Sequence, residues 1–210
     1  MSVTDFLDNL ARFTHEKFGE EMARARDDYF RRLGIVHESD ELYEEAMKAY
    51  LDWFLFDRHV EGEGPTPIRL FIEQVVPALP PEEAEVYRGF GFSGRKSLFQ
   101  IKKVLRDAIK CRDLFSRDKK TILEDTTTGF FKSEIFEARI FPFQGAWRLG
   151  EMLRFHPPRA NRVIAKAAKG ITDSSDQAAR DLMLRLAECK MKHFRFPRVD
   201  CLQFYAEILK

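Results

Sequence analysis

The sequence is poor in cysteine, with 3 copies in 210 residues, and it has no apolar run of about 18 residues. Cys111, Cys189 and Cys201 are odd in number and widely spaced. No disulfide framework is therefore expected, and a reducing cytoplasm is the expected location. The absence of a CxxC pair argues against a structural zinc site. Neither a membrane-spanning helix nor a secretory signal is expected, because the N-terminal segment MSVTDFLDNLARF carries early acidic residues and no apolar core.

Motifs of known catalysts are also missing. The segment Gly89–Gly94 matches GxGxxG, but a predicted helix precedes it and a predicted strand follows, the reverse of a dinucleotide-binding fingerprint. It is interpreted as a flexible joint. No HExxH or GxSxG pattern occurs. No catalytic residue, metal ligand or cofactor is predicted, and the loop charges are interpreted as solvated: Asp57, His59, Glu61 and Glu63.

The net charge is close to zero, yet the two signs are unevenly distributed. Residues 1–90 hold 20 acidic and 10 basic side chains, whereas residues 91–210 hold 14 acidic and 25 basic ones. Such asymmetry points to an acidic partner for the second part of the chain. The competing interpretation is that the acidic part docks on the basic part of its own chain.

Helical periodicity dominates the first 90 residues. Apolar residues recur every three to four positions from Val3 to Leu33, with Gly19 as a candidate break. A second helix is predicted from about Glu41 to Asp57, capped by Ser39 or Asp40. Its last turn, WFLF, widens the apolar stripe until it nearly surrounds the helix, which predicts burial between other elements. Prolines at helix starts predict two shorter helices, Pro67 to Val76 and Pro81 to Phe90.

From Ser97 to Phe155 the period changes to the alternation of short β-strands. Phe136 and Ala138, for example, alternate with Glu137 and Arg139, and turn residues separate five such segments. Five strands in so short a stretch suit a small antiparallel barrel or a strongly twisted sheet of SH3-like or OB size.

The predicted fold class is therefore α+β, with helices on both sides of a central β module. The expected regions are an N-terminal helical region (1–92), a small antiparallel β module (93–156) and a C-terminal helical region (157–210), packed as one compact body. Helices from both ends are expected to cover an edge or the open face of the β module. In the last region the predicted helices run from Pro158 to Lys169, from a cap at Asp173 or Ser174 through Met191, and from Val199 to Leu209.

The β module carries most of the candidate binding residues. Small barrels with positive charge and interleaved rings, here Phe92, Phe99 and Phe115, bind single-stranded nucleic acid by phosphate pairing and stacking. The alternative is a solvated outer face with the phenylalanines inside. The candidate basic residues are Arg95, Lys96, Lys102, Lys103, Arg106, Lys110, Arg112, Lys119 and Lys120.

The landmarks along the chain resemble an uncharacterised bacterial protein family. The matching features are the (D/E)WFLFDR motif at Asp52–Arg58, the helix started by Thr66-Pro67, the strands from Leu98 to Phe155 and the aromatic-rich stretch Lys190–Tyr205. The resemblance implies a fold and carries no catalytic residue over. Some relatives carry a cysteine-rich zinc segment, which this chain lacks.

Three functions remain open at this point. The leading hypothesis is a non-enzymatic binding or adaptor protein of the bacterial cytoplasm, with a protein partner, or a second copy of itself, and no membrane. The second is nucleic-acid binding through the basic residues of the β module. The third is an enzyme whose site is assembled from distant residues near His59 or His156, which predicts a deep pocket lined by carboxylates or histidines.

Overall fold

A computed structural model describes residues 1–34 and 36–209, and in that part of the chain it contains seven α-helices and five β-strands. Helices precede and follow a central sheet, which confirms the predicted α+β class. Within the described residues, no helix combines the length and the apolar character needed to cross a membrane.

The first four helices lie close to their predicted positions. The long α1 bends at Phe18, one residue before the predicted break, where the backbone leaves helical geometry. The predicted cap of α2 is wrong, because Leu42 occupies the cap position and the Asp40 carboxylate accepts the backbone N–H of His37 instead. The helices are α1 Val3–Arg32, α2 Tyr43–Phe56, α3 Pro67–Gln74, followed by a 3-10 turn at Val76–Ala78, and α4 Pro81–Ser93.

The predicted glycine joint is wrong, because Gly89 and Gly91 lie inside helix α4. A β-carbon added at Gly91 would come within 2.4 Å of the Ile72 side chain on α3. Glycine at this position therefore lets α3 and α4 pack closely, and it serves neither a loop nor a phosphate.

The five strands close on themselves in the order β1-β2-β3-β5-β4, which is a small barrel. The prediction of a wholly antiparallel module is wrong at one place, since β3 and β5 run parallel where Ile122 pairs with Trp147. A ring with an odd number of strands cannot alternate direction all the way round, so closure requires a parallel pair. The strands are β1 Arg95–Val104, β2 Ala108–Asp113, β3 Lys119–Leu123, β4 Ile135–Phe143 and β5 Ala146–Phe155.

Helices from both ends of the chain pack on the outside of the barrel, as expected for a covered face. Strand β4 is the most enclosed, because Phe136 and Ala138 fill the barrel interior while Phe141 packs outward against α4. Met152 on β5 joins the core formed with α1, α2 and α6. Leu98 on β1 packs outward against the C-terminal helices.

The C-terminal helices start later than their predicted caps. Asp176 precedes α6, in place of the predicted Asp173 or Ser174, and Asp200 caps α7 by accepting the backbone N–H of Leu202. The helices are α5 Asn161–Ala167, α6 Gln177–Arg195 and α7 Cys201–Tyr205, with 3-10 turns at Pro158–Ala160 and Ala206–Leu209.

The WFLF turn of α2 is only partly enclosed, which distinguishes two neighbouring residues. Phe54 is fully buried, whereas Trp53 is half-buried and packs on Tyr29.

We expect Phe54→Ala to lower the free energy of unfolding by about 3–5 kcal/mol. Trp53→Ala should cost less, because part of its ring faces solvent. Urea unfolding of both variants tests this order, and an equal or larger loss for Trp53→Ala would contradict it.

Candidate functional site

The nine basic residues predicted as a binding surface divide into three groups in the structure. Six of them are exposed, on the outer side of β1, β2 and β3 and on the turn between β1 and β2. We call this group the basic face: Lys102, Lys103, Arg106, Lys110, Arg112 and Lys119.

Strand register places like charges of the basic face directly opposite each other. Lys103 pairs with Lys110, and Arg112 pairs with Lys119. Like charges in such positions destabilise a sheet. Among residues 1–34 and 36–209, none of the six forms an ion pair that would offset the repulsion. The basic face therefore carries positive charge that folding does not use.

The rings that were expected to interleave with these cations lie elsewhere. Phe99 and Phe115 are both buried, with no more than 1% of their surface exposed, so the alternative of buried phenylalanines is correct for both. Phe99 lies inside the barrel, whereas Phe115 packs between the barrel and the C-terminal helices. Phe92 is 60% exposed at the end of α4, where the Arg69 guanidinium lies 4.0 Å from the centre of its ring. The basic face consequently offers phosphate-binding groups without a stacking platform.

Arg95 and Lys120 lie at one end of the barrel, away from the basic face. Both are near the Asp118 carboxylate, at 4.0 and 3.7 Å, and the Lys120 ammonium lies 5.2 Å from the centre of the Trp147 ring. These contacts are long and half-exposed, so they leave much of the positive charge available to a ligand.

Lys96, the last of the nine, belongs to a row of charged side chains that alternate in sign between the barrel and helices α2 and α6. We call this row the ion ladder. Carboxylates of α2 and of the residue after it face cations of β1, β4 and β5, and a lysine of α6 closes the row. In order, its members are Asp57, Arg139, Asp52, Lys96, Glu137, Arg154, Glu45 and Lys190.

Arg139 is the centre of one half of the ladder. Its Nε donates to Asp52 at 2.7 Å, and its Nη2 donates to Asp52 at 3.3 Å and to Asp57 at 2.6 Å. The Lys96 ammonium bridges Asp52 and Glu137 at 3.3 and 3.4 Å. Since Asp52, Glu137 and Arg139 are all buried, each depends on these partners for its charge to be tolerated.

Arg154 is the centre of the other half. Its Nη1 donates to Glu137 and its Nε donates to Glu45, each at 2.9 Å. The Lys190 ammonium also donates to Glu45, which connects α6 to α2. The ladder is thus electrically neutral along its length, with four carboxylates and four cations.

Local sequence spacing positions the members. Glu45 and Asp52 are seven residues apart, about two helical turns, and so lie on one face of α2. Glu137 and Arg139 alternate with interior residues of β4 and both point outward. Because helices cover that outward side, the charges meet each other instead of water.

Burial and pairing act against each other on these groups. Burial alone would raise the pKa of Asp52, but Arg139 and Lys96 outweigh it and hold that pKa below its ordinary value. Burial alone would lower the pKa of Lys96 and of Arg139. Asp52, Glu137 and Asp57 outweigh burial at Lys96, and Asp52 and Asp57 outweigh it at Arg139, so the pKa of both cations is raised. Asp52, Lys96 and Arg139 therefore remain ionised at neutral pH.

The uneven charge of the two parts of the chain is explained only partly by internal docking. In the ladder, Glu45, Asp52 and Asp57 of the acidic part neutralise cations of the basic part. The acidic helices do not reach the basic face, whose six cations remain exposed. Docking of the acidic part on the basic part is therefore correct for the ladder, whereas an acidic partner for the basic face stays a prediction.

A cleft of about 1040 Å³ lies above the ladder, between the barrel and the ends of several helices. Its floor is the buried part of the ladder, and residues at its rim are exposed or half-exposed. Aromatic rings form much of its wall: Tyr29, Trp53, Phe56, Phe90, Phe92 and Trp147.

The pocket expected for an enzyme assembled from distant residues is present, but its groups are already engaged. Asp57 and Glu137 line the cleft and are bonded to arginines of the ladder. His59 is at the rim, where its Nδ1 lies 2.7 Å from the carbonyl oxygen of Gly64 and so donates to it. His156 is buried beside Tyr205 and outside the cleft lining.

Within residues 1–34 and 36–209 there is no cluster of three or more metal-ligating side chains.

Sequence reasoning missed most of the ladder. A signal for it existed, since Glu137 and Arg139 interrupt a strand whose neighbours are all apolar, and Asp52 interrupts the most apolar helix. Charges in such positions are expected to be paired when both faces of the element are covered.

Replacing Arg139 by methionine should lower the free energy of unfolding by about 3–5 kcal/mol, because Asp52 and Asp57 then lose their buried partner. The double variant Arg139→Met/Asp52→Leu removes the principal unpaired charge and should recover much of the loss. A double-mutant cycle from urea unfolding at neutral pH measures the coupling. A loss under about 1 kcal/mol, as for exposed pairs, would contradict a structural role for the ladder.

His156 should make the protein sensitive to mild acid. Burial, reinforced by Arg154 and Lys190, lowers the pKa of the folded imidazole well below its ordinary value. The unfolded chain therefore binds the proton first, and the free energy of unfolding should fall below about pH 6.5 by up to about 1.4 kcal/mol per pH unit. Urea unfolding from pH 7 to 5 should show a flatter pH dependence for His156→Gln. The exposed-site control His15→Gln should retain the wild-type dependence, and equal slopes for all three proteins would disprove the assignment.

Comparison with known proteins identifies the family of the chain, and the function of that family is unknown. No curated protein and no solved structure matches the chain. The family described as a family of unknown function, DUF7986, matches residues 9–184, which include most of α1, the whole barrel and the first part of α6. Every ladder residue except Lys190 lies in the matched segment. The chain therefore belongs to the DUF7986 family of unknown function.

Proposed function

We propose that this protein is a non-enzymatic binding protein whose ligand is single-stranded nucleic acid, held on the basic face. The observation that carries the proposal is the register of Lys103 against Lys110 and of Arg112 against Lys119. Unpaired like charges at opposed positions reduce stability, so their presence is best explained by a polyanion that neutralises them on binding.

The position of the basic face in the barrel supports the same ligand. The strand order β1-β2-β3-β5-β4 is that of five-stranded Greek-key barrels of the OB type. In those barrels the face of strands 2 and 3 and the loop between strands 1 and 2 hold oligonucleotides. Lys110, Arg112 and Lys119 lie on these strands here, and Arg106 lies in that loop. Fold similarity alone does not establish function, so the charges carry the argument.

The mode of binding follows from what the basic face contains. Between residues 95 and 123 the aromatic residues are Phe99 and Phe115, and both are buried. The six cations of the basic face outnumber the exposed carboxylates of the same segment, which are Asp107 and Asp118. Binding would therefore occur through phosphates and would be nearly independent of base sequence, since phosphate contacts carry no base information.

A reducing bacterial cytoplasm is the proposed location. Cys111, Cys189 and Cys201 are all free and buried, which suits a compartment that keeps thiols reduced. The bacterial origin rests on the resemblance of the WFLFDR segment described above.

The test is the salt dependence of binding to a fluorescein-labelled oligothymidine, measured by anisotropy. If all six cations contact phosphates, the slope of log affinity against log salt should approach about −4, which is a loss of roughly 250-fold between 50 and 200 mM salt. Lys110→Gln/Arg112→Gln should weaken binding and reduce the slope by about 1.4.

The matched control is Arg162→Gln/Lys166→Gln, which removes two exposed cations from α5, outside the basic face. It changes the net charge equally and should leave affinity and slope unchanged. Oligoadenosine should bind about as well as oligothymidine. Binding that is absent, insensitive to salt, or weakened equally by both double variants would overturn the proposal.

A further inference from the structure

The cleft above the ion ladder is a second candidate site, separate from the basic face. Its volume of about 1040 Å³ is sufficient for a small molecule of considerable size. Its floor needs no ligand charge, because the cations there are already paired. Lys96 and Arg154 pair with Glu137. Arg139 pairs with Asp52 and Asp57. The groups that recognise a charged ligand must therefore lie at the rim of the cleft.

The rim has an excess of positive charge. Among the described residues that line the cleft outside the ladder, five cations face two carboxylates, Asp173 and Asp181. Three of the cations are on different elements, Arg69 on α3, Arg95 on β1 and Lys120 on β3. Guanidinium and ammonium groups in such numbers favour a phosphate or carboxylate ligand. The five are Arg32, Arg69, Arg95, Lys120 and Arg180.

Rings stand beside these cations. The Phe92 ring is 60% exposed and lies under the Arg69 guanidinium, and the Trp147 ring lies under the Lys120 ammonium. A large apolar ring left exposed at the edge of a cleft can be covered by a planar group of a ligand, with a gain from stacking. Trp53 and Phe56 extend the aromatic wall inward.

We propose that the cleft binds a small anion that carries a planar ring, of the nucleoside monophosphate class. The phosphate lies at the rim near Arg95 and Lys120, and the ring stacks on the aromatic wall. A neutral nucleoside lacks the charge that the rim selects, and inorganic phosphate lacks the surface that the wall selects. This inference does not depend on nucleic-acid binding at the basic face.

The chain carries its own reporter for this site. It has 2 tryptophans, Trp53 and Trp147, and both line the cleft. A ligand that enters the cleft should therefore quench tryptophan emission, whereas a ligand held on the basic face should not. Excitation at the red edge of tryptophan absorption avoids absorption by the adenine probe.

The experiment titrates the full chain with adenosine monophosphate, adenosine and inorganic phosphate. We expect saturable quenching by adenosine monophosphate, and affinities at least about tenfold lower for the other two probes, since each lacks one set of contacts. A five-nucleotide strand, titrated in parallel, distinguishes a free nucleotide from the end of a bound strand, and should not quench.

Two variants complete the test. Arg95→Gln/Lys120→Gln should weaken adenosine monophosphate at least about tenfold. Thermal melting of this variant checks the fold, and we expect the wild-type transition because both residues are only partly buried. The control Lys110→Gln/Arg112→Gln should bind the nucleotide as the wild type does. No saturable quenching, equal affinity for adenosine, equal quenching by the strand, or sensitivity only to the control variant would each overturn the proposal.

Discussion

The paired charges between helix α2 and strands β4 and β5 determine how the helical part of the chain meets the barrel. Asp52 and Arg139 are both buried and joined by two hydrogen bonds, and neither can lose the other without leaving an unpaired charge in the interior. A well-packed apolar contact could be equally stable, so the contribution of the ladder is mainly one of register. A slip of α2 by one turn would separate Glu45 and Asp52 from their cations.

That constraint divides the positive charge of the chain between two roles. Lys96, Arg139 and Arg154 are consumed by internal neutralisation, while the cations of β1, β2 and β3 on the far side of the barrel are left to solvent. The division depends on where the helices pack, because they cover the outer surface of β4 and β5 and leave the outer surface of β2 and β3 open. The cleft occurs where the covered side ends, which explains why it combines a neutral, buried floor with a cationic rim.

The sequence located the basic residues along the chain but not the environment of each one in the fold. Six of the nine basic residues form one exposed face, yet Lys96, adjacent in sequence to Arg95, is buried in the ladder. Exposure of a charged residue depends on which element packs over it, and linear spacing does not contain that information. The cleft could not be predicted either, since Trp53 and Trp147 approach it from segments almost a hundred residues apart. The glycines of α4 illustrate the same limit, because their role is set by Ile72 on another helix.

The sequence by itself determined which segments are helical and which are extended, because the periods of 3.6 and 2 are local properties that burial of one face imposes on any chain. It also determined the number of strands and the excess of positive charge in the second part of the chain. Only the tertiary structure decided that the sheet closes with a parallel pair, that Asp52 meets Arg139 across 87 residues, and which cations stay free. Those outcomes depend on contacts between distant segments, where packing and the cost of burying an unpaired charge select one arrangement.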